Sequence, residues 1–360
     1  MLFIDKNGIK DIMFLTIDIE ITNRCNATCH FCPRDATPHQ GNMDIDTFDK
    51  ALARAVEYRE VVNDVSGLEL TVSLCGLGEP LLNKNTISFV QKVKQAGFKC
   101  SMSSNGALLT EDKTHSLLDA GLDEIYINIS DIHEEYERIY SLPFDKTCAN
   151  ITRFAELAKG KCTPVIILVD HRDDSDHIKA METFWRERGL KNFHDYNVIN
   201  RGGALFVEHM QFEQYTEMVQ ARHDLTEGSA QPLCGAPWGF LFIGYDGNYY
   251  LCCSDWRKQA SLGSVFDYSF LQVTRRKLAM VISREPVCKT CNHDPINMLT
   301  EELRALNRGE VSAAEVDTLR ESLRAGSQEI DDALGELLSY GDRHPEGMLA
   351  ANIIPVITTQ

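Results

Sequence analysis

Three cysteines lie within eight residues near the start of the chain, at Cys25, Cys29 and Cys32. Thiolates are the protein ligands of structural zinc and of iron–sulfur clusters. A structural zinc site closes its tetrahedron with four protein ligands. Three cysteines in one loop instead leave one iron of a four-iron cluster open to an outside ligand. The CxxxCxxC spacing therefore predicts an iron–sulfur cluster with one exchangeable position.

A second set of cysteines follows the pattern C-x17-C-x35-C-x2-C, formed by Cys234, Cys252, Cys288 and Cys291. Taken from the residues alone, a zinc ribbon and an iron–sulfur cluster fit this set equally well. Cys253 adds an ambiguity: it replaces Cys252 as a ligand, stays an inert buried thiol, or gives a hydrogen atom to a substrate radical. We interpret the remaining cysteines, Cys75, Cys100, Cys148 and Cys162, as core residues.

Composition limits the classes of function. The 360 residues are 43% hydrophobic and 25% charged, as in soluble globular proteins, and they carry a formal net charge of −17. Without a cluster of Lys and Arg, this charge repels nucleic acid. No apolar run predicts a secretory signal or a membrane span, so we expect a cytoplasmic protein. Twelve cysteines in a reducing compartment favour ligation of metal over disulfides.

Short β-branched segments alternate with helical segments over about the first 200 residues. The predicted strands are Phe14–Ile21, Leu68–Leu74, Lys99–Ser103, Glu124–Ile129, Pro164–Val169 and Asp195–Ile199. The predicted helices are Thr47–Tyr58, Thr86–Ala96, Glu111–Ala120, Ala149–Ala158 and Asp176–Arg188. About six such repeats predict an α/β fold with a parallel sheet that forms an open barrel.

The unusual loops follow the ends of the first four strands. The first cysteines follow strand one, "CGLGEP" follows strand two, "SSNG" strand three and "NIS" strand four. Because functional groups of parallel α/β folds gather where strands end, we expect these loops at one rim of the barrel.

The composition changes near residue 231. "WGFLFIGYDGNYYLCCSD" predicts a β-hairpin with its turn at Asp246-Gly247, followed by a helix over Tyr268–Ile282. Beyond Pro295 the chain is acidic and helical, with a capping box at Ser312 to Glu315. We predict domains at residues 1–215, 231–294 and 295–360, and we interpret the last as a packing element or a surface for homo-oligomerisation.

The first cysteine loop resembles that of the radical S-adenosylmethionine (SAM) superfamily, whose CxxxCxφC motif matches Cys25, Cys29, Phe31 and Cys32. The resemblance implies a partial (β/α)6 barrel similar to a TIM barrel. Leu77-Gly78-Glu79-Pro80 is similar to the family's Gly-Gly-Glu-Pro motif, with leucine at the first glycine. Contacts to SAM are implied for Phe31, Gly76, Gly78, Glu79, Ser103, Asn105 and Ser130. The family's later adenine motif has no counterpart in "VIILVDHRDD".

The second cysteine region resembles the twitch domain, the short form of the SPASM domain, which holds an auxiliary [4Fe-4S] cluster. Two [4Fe-4S] clusters and SAM are then the implied cofactors, and a flavodoxin or ferredoxin is the implied electron donor. The family cleaves SAM to a 5′-deoxyadenosyl radical that abstracts a hydrogen atom from a substrate C–H bond.

Asn200-Arg201-Gly202-Gly203, the Asp-Gly hairpin and the "CKTCN" ending resemble the aminocyclitol-oxidising dehydrogenases, of the 2-deoxy-scyllo-inosamine dehydrogenase type. Arg201 is then implied to contact the SAM carboxylate or a substrate hydroxyl; otherwise it is a structural arginine at a strand end. Five further side chains were considered for the cavity, although such residues are more often packed or solvated: His171, Asp173, Tyr126, His194 and Tyr196.

The leading hypothesis is oxidation or epimerisation of a small polyhydroxylated molecule, an aminocyclitol or a sugar, with Arg201 and Cys253 as catalytic residues. An alternative from the same class is a peptide-modifying epimerase or crosslinking enzyme. The alternative from another class is a non-catalytic metal or oxygen sensor that does not cleave SAM.

Overall fold

The computed structural model describes residues 16–65, 70–205, 216–226 and 232–343. Its strands are β1 Thr16–Ile19, β2 Thr71–Leu74, β3 Lys99–Ser104, β4 Glu124–Asn128, β5 Thr163–Asp170, β6 Asn192–Asn197, β7 Phe240–Ile243, β8 Asn248–Tyr250 and β9 Ser261–Ser264. Its helices are α1 Ile45–Val65, α2 Thr86–Gln95, α3 Glu111–Asp119, α4 His133–Tyr140, α5 Phe144–Leu157, α6 Ser175–Arg186, α7 Thr216–Thr226, α8 Ala236–Gly239, α9 Phe270–Ser283, α10 Pro286–Lys289, α11 Pro295–Arg308 and α12 Ala313–Arg343.

Within the described residues, all strands join one nine-stranded sheet in the order β6-β5-β4-β3-β2-β1-β7-β8-β9. Strands β1 to β6 are parallel neighbours in chain order, and helices connect most of them. This is the predicted parallel α/β sheet, and it is compatible with a partial TIM barrel. Each predicted strand overlaps an observed one, although residues 14–15 and 68–69 of the predictions lie outside the described residues.

The predicted hairpin extends the barrel sheet. Strand β7 pairs in parallel with β1, from Thr16 opposite Phe240 to Ile19 opposite Ile243. Strands β8 and β9 then add in antiparallel fashion, and the turn between β7 and β8 lies at the predicted Asp246-Gly247. Gly247 has a φ of +76°, a conformation that glycine adopts without strain. Backbone pairing in the sheet thereby connects the second cysteine region directly to β1, the strand that leads into the first cysteine loop.

Alternation along β1 separates an apolar face from a polar one. Ile17 and Ile19 are fully buried in the hydrophobic core that also contains Phe48 of α1 and Phe89 of α2, whose rings stack with centroids 4.0 Å apart. Asp18 lies between them in sequence and therefore points to the opposite face, into the barrel. The same alternation in the neighbouring strands gives the barrel a polar interior.

Among the described helices longer than four residues, α4 and α7 were not predicted from the sequence, and the start of α5 was predicted too late. The residue after α4, Ser141, has a φ of +55° and reverses the chain before Pro143. Helix α5 then starts at Phe144 instead of Ala149. The segment of α4 is short and mostly polar, although its buried residues Tyr136, Ile139 and Tyr140 follow the i, i+3, i+4 spacing of a helix.

The chain beyond Pro295 is helical, as predicted. Helices α11 and α12 pack on α7 around a second apolar cluster formed by Ala221, Leu225, Ile296, Leu299 and Val316. The predicted capping box is present: the Ser312 amide donates to Glu315 Oε2 at 2.7 Å, and the Glu315 amide donates to Ser312 Oγ at 3.3 Å. None of the described helices has the length and apolar character needed to cross a bilayer.

A buried ion pair closes the segment that carries the last two cysteines. Arg284 ends α9 with a φ of +49° and donates to both carboxylate oxygens of Asp294, at 2.8 and 3.1 Å. It also donates to Asn297 Oδ1 at 2.9 Å. The Asn297 amide in turn donates to the carbonyl oxygens of Cys288 and Cys291, at 3.1 and 2.8 Å. This network fixes the turn between the two cysteines.

Replacing Arg284 with methionine is expected to lower the free energy of unfolding by about 3–5 kcal/mol, because it leaves the Asp294 carboxylate buried without a counter-charge. Arg308→Met is the matched control: Arg308 pairs with Glu310 at the surface, where solvent screening leaves an ion pair with little effect on stability. Denaturant titration measures both. Equal losses in the two variants would contradict the assigned role of the buried pair.

Candidate functional site

The first cysteine loop follows β1 and is held in shape by its own backbone contacts. Arg34 donates to the carbonyl oxygens of Cys25 and Ala27, at 3.2 and 2.6 Å, and the Cys32 amide donates to the Cys29 carbonyl at 3.1 Å. The three thiols are partly exposed. The loop therefore presents three partly exposed sulfur ligands, of which Cys25 and Cys29 also pack against the hydrophobic core.

The electrostatics of these thiols fit a cationic cluster. Burial raises the pKa of Cys29 well above its usual range, and the neighbouring Cys32 and Cys25 thiols raise it further. Burial likewise raises the pKa of Cys32 to about 11. Ligation requires thiolates, so it depends on positive charge from the bound metal. A donor set of three close sulfurs with no other ligand among them suits an iron–sulfur cluster with one open iron.

The loop after β2 lies against the cysteine loop, and its glycines make this approach possible. A Cβ atom on Gly78 would lie 2.5 Å from the Arg24 carbonyl oxygen and 2.6 Å from that of Thr22. A Cβ atom on Gly76 would lie 2.6 Å from Cγ of Glu20. The predicted glycine positions therefore serve close packing of two loops at the rim.

Glu79 is 1% exposed, and its carboxylate is surrounded by internal donors. It accepts from the amides of Leu81 at 3.1 Å and Asn105 at 2.8 Å, and from Ser104 Oγ at 3.0 Å. Burial raises the pKa of Glu79, and these hydrogen bonds oppose the rise. In this arrangement the side chain joins the loops after β2 and β3. A contact with the ammonium group of SAM stays a prediction.

The other predicted SAM contacts lie near the same rim. Asn105 Nδ2 donates to Asn26 Oδ1 at 2.8 Å and lies 3.9 Å from Cys25 Sγ. Ser103 Oγ accepts from Asn128 at 2.8 Å. Ser130 is fully buried, and its Oγ accepts from the Val169 amide at 2.7 Å. Asn105 thus lies beside the first cysteines, whereas the hydroxyl groups of Ser103 and Ser130 accept hydrogen bonds from neighbouring strands.

Phe31 lies in an aromatic group at the ends of β4 and β5. Its ring stacks on His171 with centroids 5.2 Å apart and an interplanar angle of 26°. His171 Nε2 is 2.7 Å from Asp131 Oδ2, and the buried Asp131 carboxylate also pairs with Arg172. The sequence analysis considered His171 but missed Asp131 and Arg172, although both directly follow strand segments in "NISD" and "VDHR".

Ligand atoms of Asp131, His171 and His177 lie within 4.8 Å of one another, a spacing compatible with a metal ion. The Arg172 guanidinium already neutralises the Asp131 carboxylate. His177 Nε2 lies 3.0 Å from the Ser130 carbonyl oxygen as well. These contacts make the group an ion-pair cluster that holds the ends of β4 and β5 together.

The second cysteine set is more deeply buried than the first. Cys252, Cys288 and Cys291 are buried, and Cys234 is partly exposed. Burial is the main cause that raises the pKa of each thiol, and the neighbouring Cys291 and Cys288 thiols raise those of Cys234 and Cys252 further. These effects show that the four thiols lie near enough to influence one another, as the ligands of one cluster must.

The Asn200-Arg201-Gly202-Gly203 segment packs directly against this set. Asn200 Nδ2 donates to the Thr290 carbonyl at 2.6 Å, and Asn200 also exchanges two hydrogen bonds with Asn292. A Cβ atom on Gly202 would lie 2.4 Å from Val287, and one on Gly203 would lie 2.6 Å from Thr290. The two segments that support the resemblance to aminocyclitol dehydrogenases are thus in contact.

Arg201 has a φ of +51° and lies between the two cysteine sets. Its charge lowers the pKa of both Cys32 and Cys253, in each case against the larger effect of burial. Nη2 donates to the Tyr196 hydroxyl at 3.4 Å, and the guanidinium lies 5.6 Å from the Trp256 ring centroid. Nε is buried and has no hydrogen-bond partner among the described residues. An unpaired buried donor at this place suits an anionic or hydroxyl group of a ligand.

Cys253 has different surroundings from its neighbour Cys252. Burial raises the pKa of Cys253, the Asp18 carboxylate raises it further, and Arg201 opposes the rise. Cys75, interpreted from the sequence as a core residue, is partly exposed and hydrogen bonds to Asp18. That interpretation was wrong for Cys75, whereas Cys100 and Cys162 are buried in the core as predicted.

The remaining candidates for the cavity lie in two environments: some contact residues of the barrel interior, and others are exposed to solvent. Tyr126 donates to Glu124 at 3.0 Å inside the barrel, and Tyr196 contacts Arg201. His194 is exposed on β6 and Asp173 is exposed in the loop after β5.

Comparisons with known proteins agree with this geometry. The radical SAM superfamily model matches residues 19–184, and the model of the SPASM iron–sulfur cluster-binding domain matches residues 234–292. The chain therefore contains a radical SAM domain and an iron–sulfur cluster-binding SPASM domain, as radical SAM enzymes do. These two domains support SAM and two iron–sulfur clusters as its cofactors.

Two curated relatives match parts of the chain. The tungsten-containing aldehyde ferredoxin oxidoreductase cofactor-modifying protein of Pyrococcus furiosus is 33% identical over 112 residues, 31% of this chain and 29% of the relative. The PqqA peptide cyclase of Gluconobacter oxydans is 26% identical over 213 residues, 56% of each chain. The chain thus spans less than two thirds of the length of both relatives.

Solved structures are similar to this chain at low sequence identity, and those with a TM-score above 0.5 share its fold. Native anSMEcpe with bound AdoMet has a TM-score of 0.55 at 15% identity, covering 92% of this chain and 98% of its own. Streptococcus suis SuiB bound to the precursor peptide SuiA has a TM-score of 0.52 at 12% identity, covering 79% and 71%. BtrN in complex with AdoMet and 2-DOIA has a TM-score of 0.48 at 18% identity, covering 78% and 93%.

Replacing Gly78 with alanine is expected to remove about four irons per chain and leave about four, because the added methyl group separates the two rim loops while the second cysteine set is untouched. The control is Gly326→Ala in α12, where a Cβ atom meets nothing within 4 Å. Iron and sulfide are counted after anaerobic reconstitution. A full iron content in the Gly78 variant would show that the close approach is not needed.

Proposed function

We propose that Cys25, Cys29 and Cys32 hold the cluster that binds SAM, and that Cys234, Cys252, Cys288 and Cys291 hold the auxiliary cluster. The three-to-four division supports this assignment, because the first set leaves an iron for SAM and the second leaves none. When bound, the first cluster and SAM supply a 5′-deoxyadenosyl radical that removes a hydrogen atom from a C–H bond. An external one-electron donor, a flavodoxin or ferredoxin, supplies the reducing electron.

We infer a small polyhydroxylated substrate, an aminocyclitol or a sugar, that lies in the barrel between the two cysteine sets. The observation that carries this inference is Arg201, a half-buried side chain whose buried Nε has no partner among the described residues and whose charge acts on both Cys32 and Cys253. Its planar donors suit a hydroxyl oxygen or the carboxylate of SAM. The polar interior of the barrel provides further partners for hydroxyl groups.

Two outcomes follow hydrogen abstraction from a secondary alcohol: oxidation to a ketone, or return of a hydrogen atom to the other face. We propose that the reaction is oxidation to a ketone. Its support is the contact between Asn200-Arg201-Gly202-Gly203 and the "CKTCN" segment, the two motifs shared with aminocyclitol-oxidising enzymes. Epimerisation requires a thiol facing the substrate, and Cys253 is the thiol that lies beside Arg201.

Modification of a peptide is the second candidate function. The similarity to the PqqA peptide cyclase over 213 residues favours it, and SuiB, whose structure holds a precursor peptide, shares the fold. In that case Arg201 contacts a peptide carboxylate or carbonyl oxygen. The two candidates share the abstraction step and differ in what fills the barrel.

The protein reconstituted without air is expected to convert SAM to 5′-deoxyadenosine under dithionite, and to oxidise a member of a panel made of 2-deoxy-scyllo-inosamine, myo-inositol and scyllo-inositol. Mass spectrometry measures both products. Cys32→Ser is expected to abolish cleavage, whereas Cys148→Ala, a thiol on α5 away from both sets, is expected to keep it. Cleavage with no turnover of the panel would favour the peptide alternative, and no cleavage would favour a sensor.

Replacing Cys253 with alanine is expected to leave oxidation running, because a ketone product needs no hydrogen atom from a thiol. Turnover in D2O reports the outcome through deuterium at the reacting carbon. If the wild-type protein returns an inverted, deuterated alcohol and the variant accumulates none, the reaction is epimerisation and Cys253 is its donor.

A further inference from the structure

Asp18 is the buried acid of the barrel interior that the assignments above do not use. It lies on the polar face of β1, is 6% exposed, and stands opposite Ser73 of β2 and Phe242 of β7. A buried carboxylate costs free energy unless a cation or several donors compensate it. The partners of Asp18 therefore decide whether its role is structural.

Other buried acids of the chain have such compensation. Glu20, which directly follows β1, pairs with Lys258 at 2.9 Å and accepts from the amides of Leu77 and Tyr245. Asp131 pairs with Arg172, and Glu79 accepts three hydrogen bonds. Within the described part of the chain, no ion pair or amide donor is found for Asp18.

The groups that face Asp18 come from four elements. The Cys75 thiol after β2 hydrogen bonds to it, and Tyr126 of β4 and Cys253 after β8 are close enough for Asp18 to raise the pKa of each. Lys277 of α9 is nearby, but its Nζ donates to the carbonyl oxygens of Pro237 and Phe240. Asp18 thus lies close to Cys253, the thiol that the epimerisation alternative places beside the substrate.

The protonation of this carboxyl group is set mainly by burial. Burial raises the pKa of Asp18 to about 7, against smaller opposing effects of the Cys75 thiol and the Lys277 charge. A general base works best when its pKa lies near the working pH, because it is then both ionised and basic enough to take a proton.

We propose that Asp18 accepts the hydroxyl proton that the substrate loses when its secondary alcohol is oxidised. The proposal rests on the oxidation proposed above and deepens it by naming the base. Arg201 cannot accept this proton, because a guanidinium group has no acceptor atom and stays charged. Glu79 is occupied by internal donors.

The balance of the reaction defines what the base must do. A secondary alcohol that becomes a ketone loses the hydrogen on carbon as an atom to the radical derived from SAM, one electron to an iron–sulfur oxidant, and the hydroxyl hydrogen as a proton. The proton goes to an oxygen of the Asp18 carboxylate, and the O–H bonding pair becomes the second bond of the carbonyl group. Epimerisation releases no proton, so it needs no such base.

The test compares Asp18→Asn with Glu124→Gln in the reconstituted enzyme, with the panel of 2-deoxy-scyllo-inosamine and inositols as probe. Glu124 is a matched control: it is an inward acid of β4 at the level of Asp18, but it is paired with Lys99. Removing the base is expected to lower ketone formation about 100-fold or more while 5′-deoxyadenosine still forms. The control is expected to retain the wild-type rate.

The pH profile separates a base from a merely structural carboxyl group. Only the ionised carboxylate accepts a proton, so ketone formation in the wild-type protein is expected to rise with pH through about 7 and then level off. Cys75→Ala removes a hydrogen bond that lowers the pKa of Asp18, so the rising limb is expected to move to higher pH. In Asp18→Asn, ketone formation is expected to show no such rise with pH.

A measurement on the substrate-free protein completes the test and guards against misfolding. The infrared carboxyl band that is lost in Asp18→Asn is expected to titrate near pH 7 in the wild-type protein, and both variants are expected to keep their iron. Ketone formation that is unchanged in Asp18→Asn, or a pH limb unmoved by Cys75→Ala, overturns the inference alone. If the wild-type protein oxidises no member of the panel, the proposed function fails and the inference falls with it.

Discussion

The parallel pairing of β1 with β7 is the constraint on which the rest of the structure depends. Strand β1 leads into the first cysteine loop, and β7 begins the hairpin that carries Cys252 and Cys253. Four residue pairs of one sheet thereby fix the relative position of two regions more than 200 residues apart in sequence. Since sheets do not slide without exposing one full face of side chains, this register is rigid. This register also places Asp18 of β1 close to Cys253, the thiol that Arg201 approaches as well.

The polar groups of the rim divide into those that build the site and those left for a ligand. Glu79, Ser130 and Asp131 are saturated by protein partners, so they hold loops and strand ends in place. Arg201 keeps an unpaired buried donor, and Asp18 keeps a carboxyl group compensated mainly by one thiol. Because buried polar groups in folded proteins are nearly always paired, the unpaired Nε of Arg201 is the feature that supports the ligand contact proposed for it. This distinction rests on partners and could not be made from residue types.

Much of the architecture follows from local sequence. The alternation of strands and helices predicted the parallel sheet, Asp246-Gly247 predicted the hairpin turn, and the first cysteine spacing predicted an iron–sulfur site. The second iron–sulfur region was implied by the resemblance to the twitch domain, because its spacing alone fits zinc equally well. Helix α4 was missed because it is short and mostly polar, although Tyr136, Ile139 and Tyr140 have helical spacing. The β1–β7 pairing was not predicted either, since contacts between distant segments leave no local pattern. For the same reason Cys75 was taken for a core residue.

Some site residues could be predicted from sequence motifs, whereas others could not. Motif positions such as Gly76 and Gly78 have a clear physical reason, because the neighbouring backbone leaves no room for a side chain. Asp18 carries no motif: it is one acid in a strand of apolar residues, and its significance appears only when the charges around it are compared. A sequence shows that such a residue interrupts a buried strand, but it does not show whether a cation lies beside it.

The central claim is that two cysteine sets meet at one barrel and that only the first binds SAM. Electron paramagnetic resonance of the reduced protein, purified without air, tests this most directly. The account predicts two overlapping cluster signals, of which one shifts when SAM is added and disappears in Cys29→Ser, while the other stays unchanged. A spectrum that SAM does not alter, or one in which the signal from the second set responds instead, would contradict it.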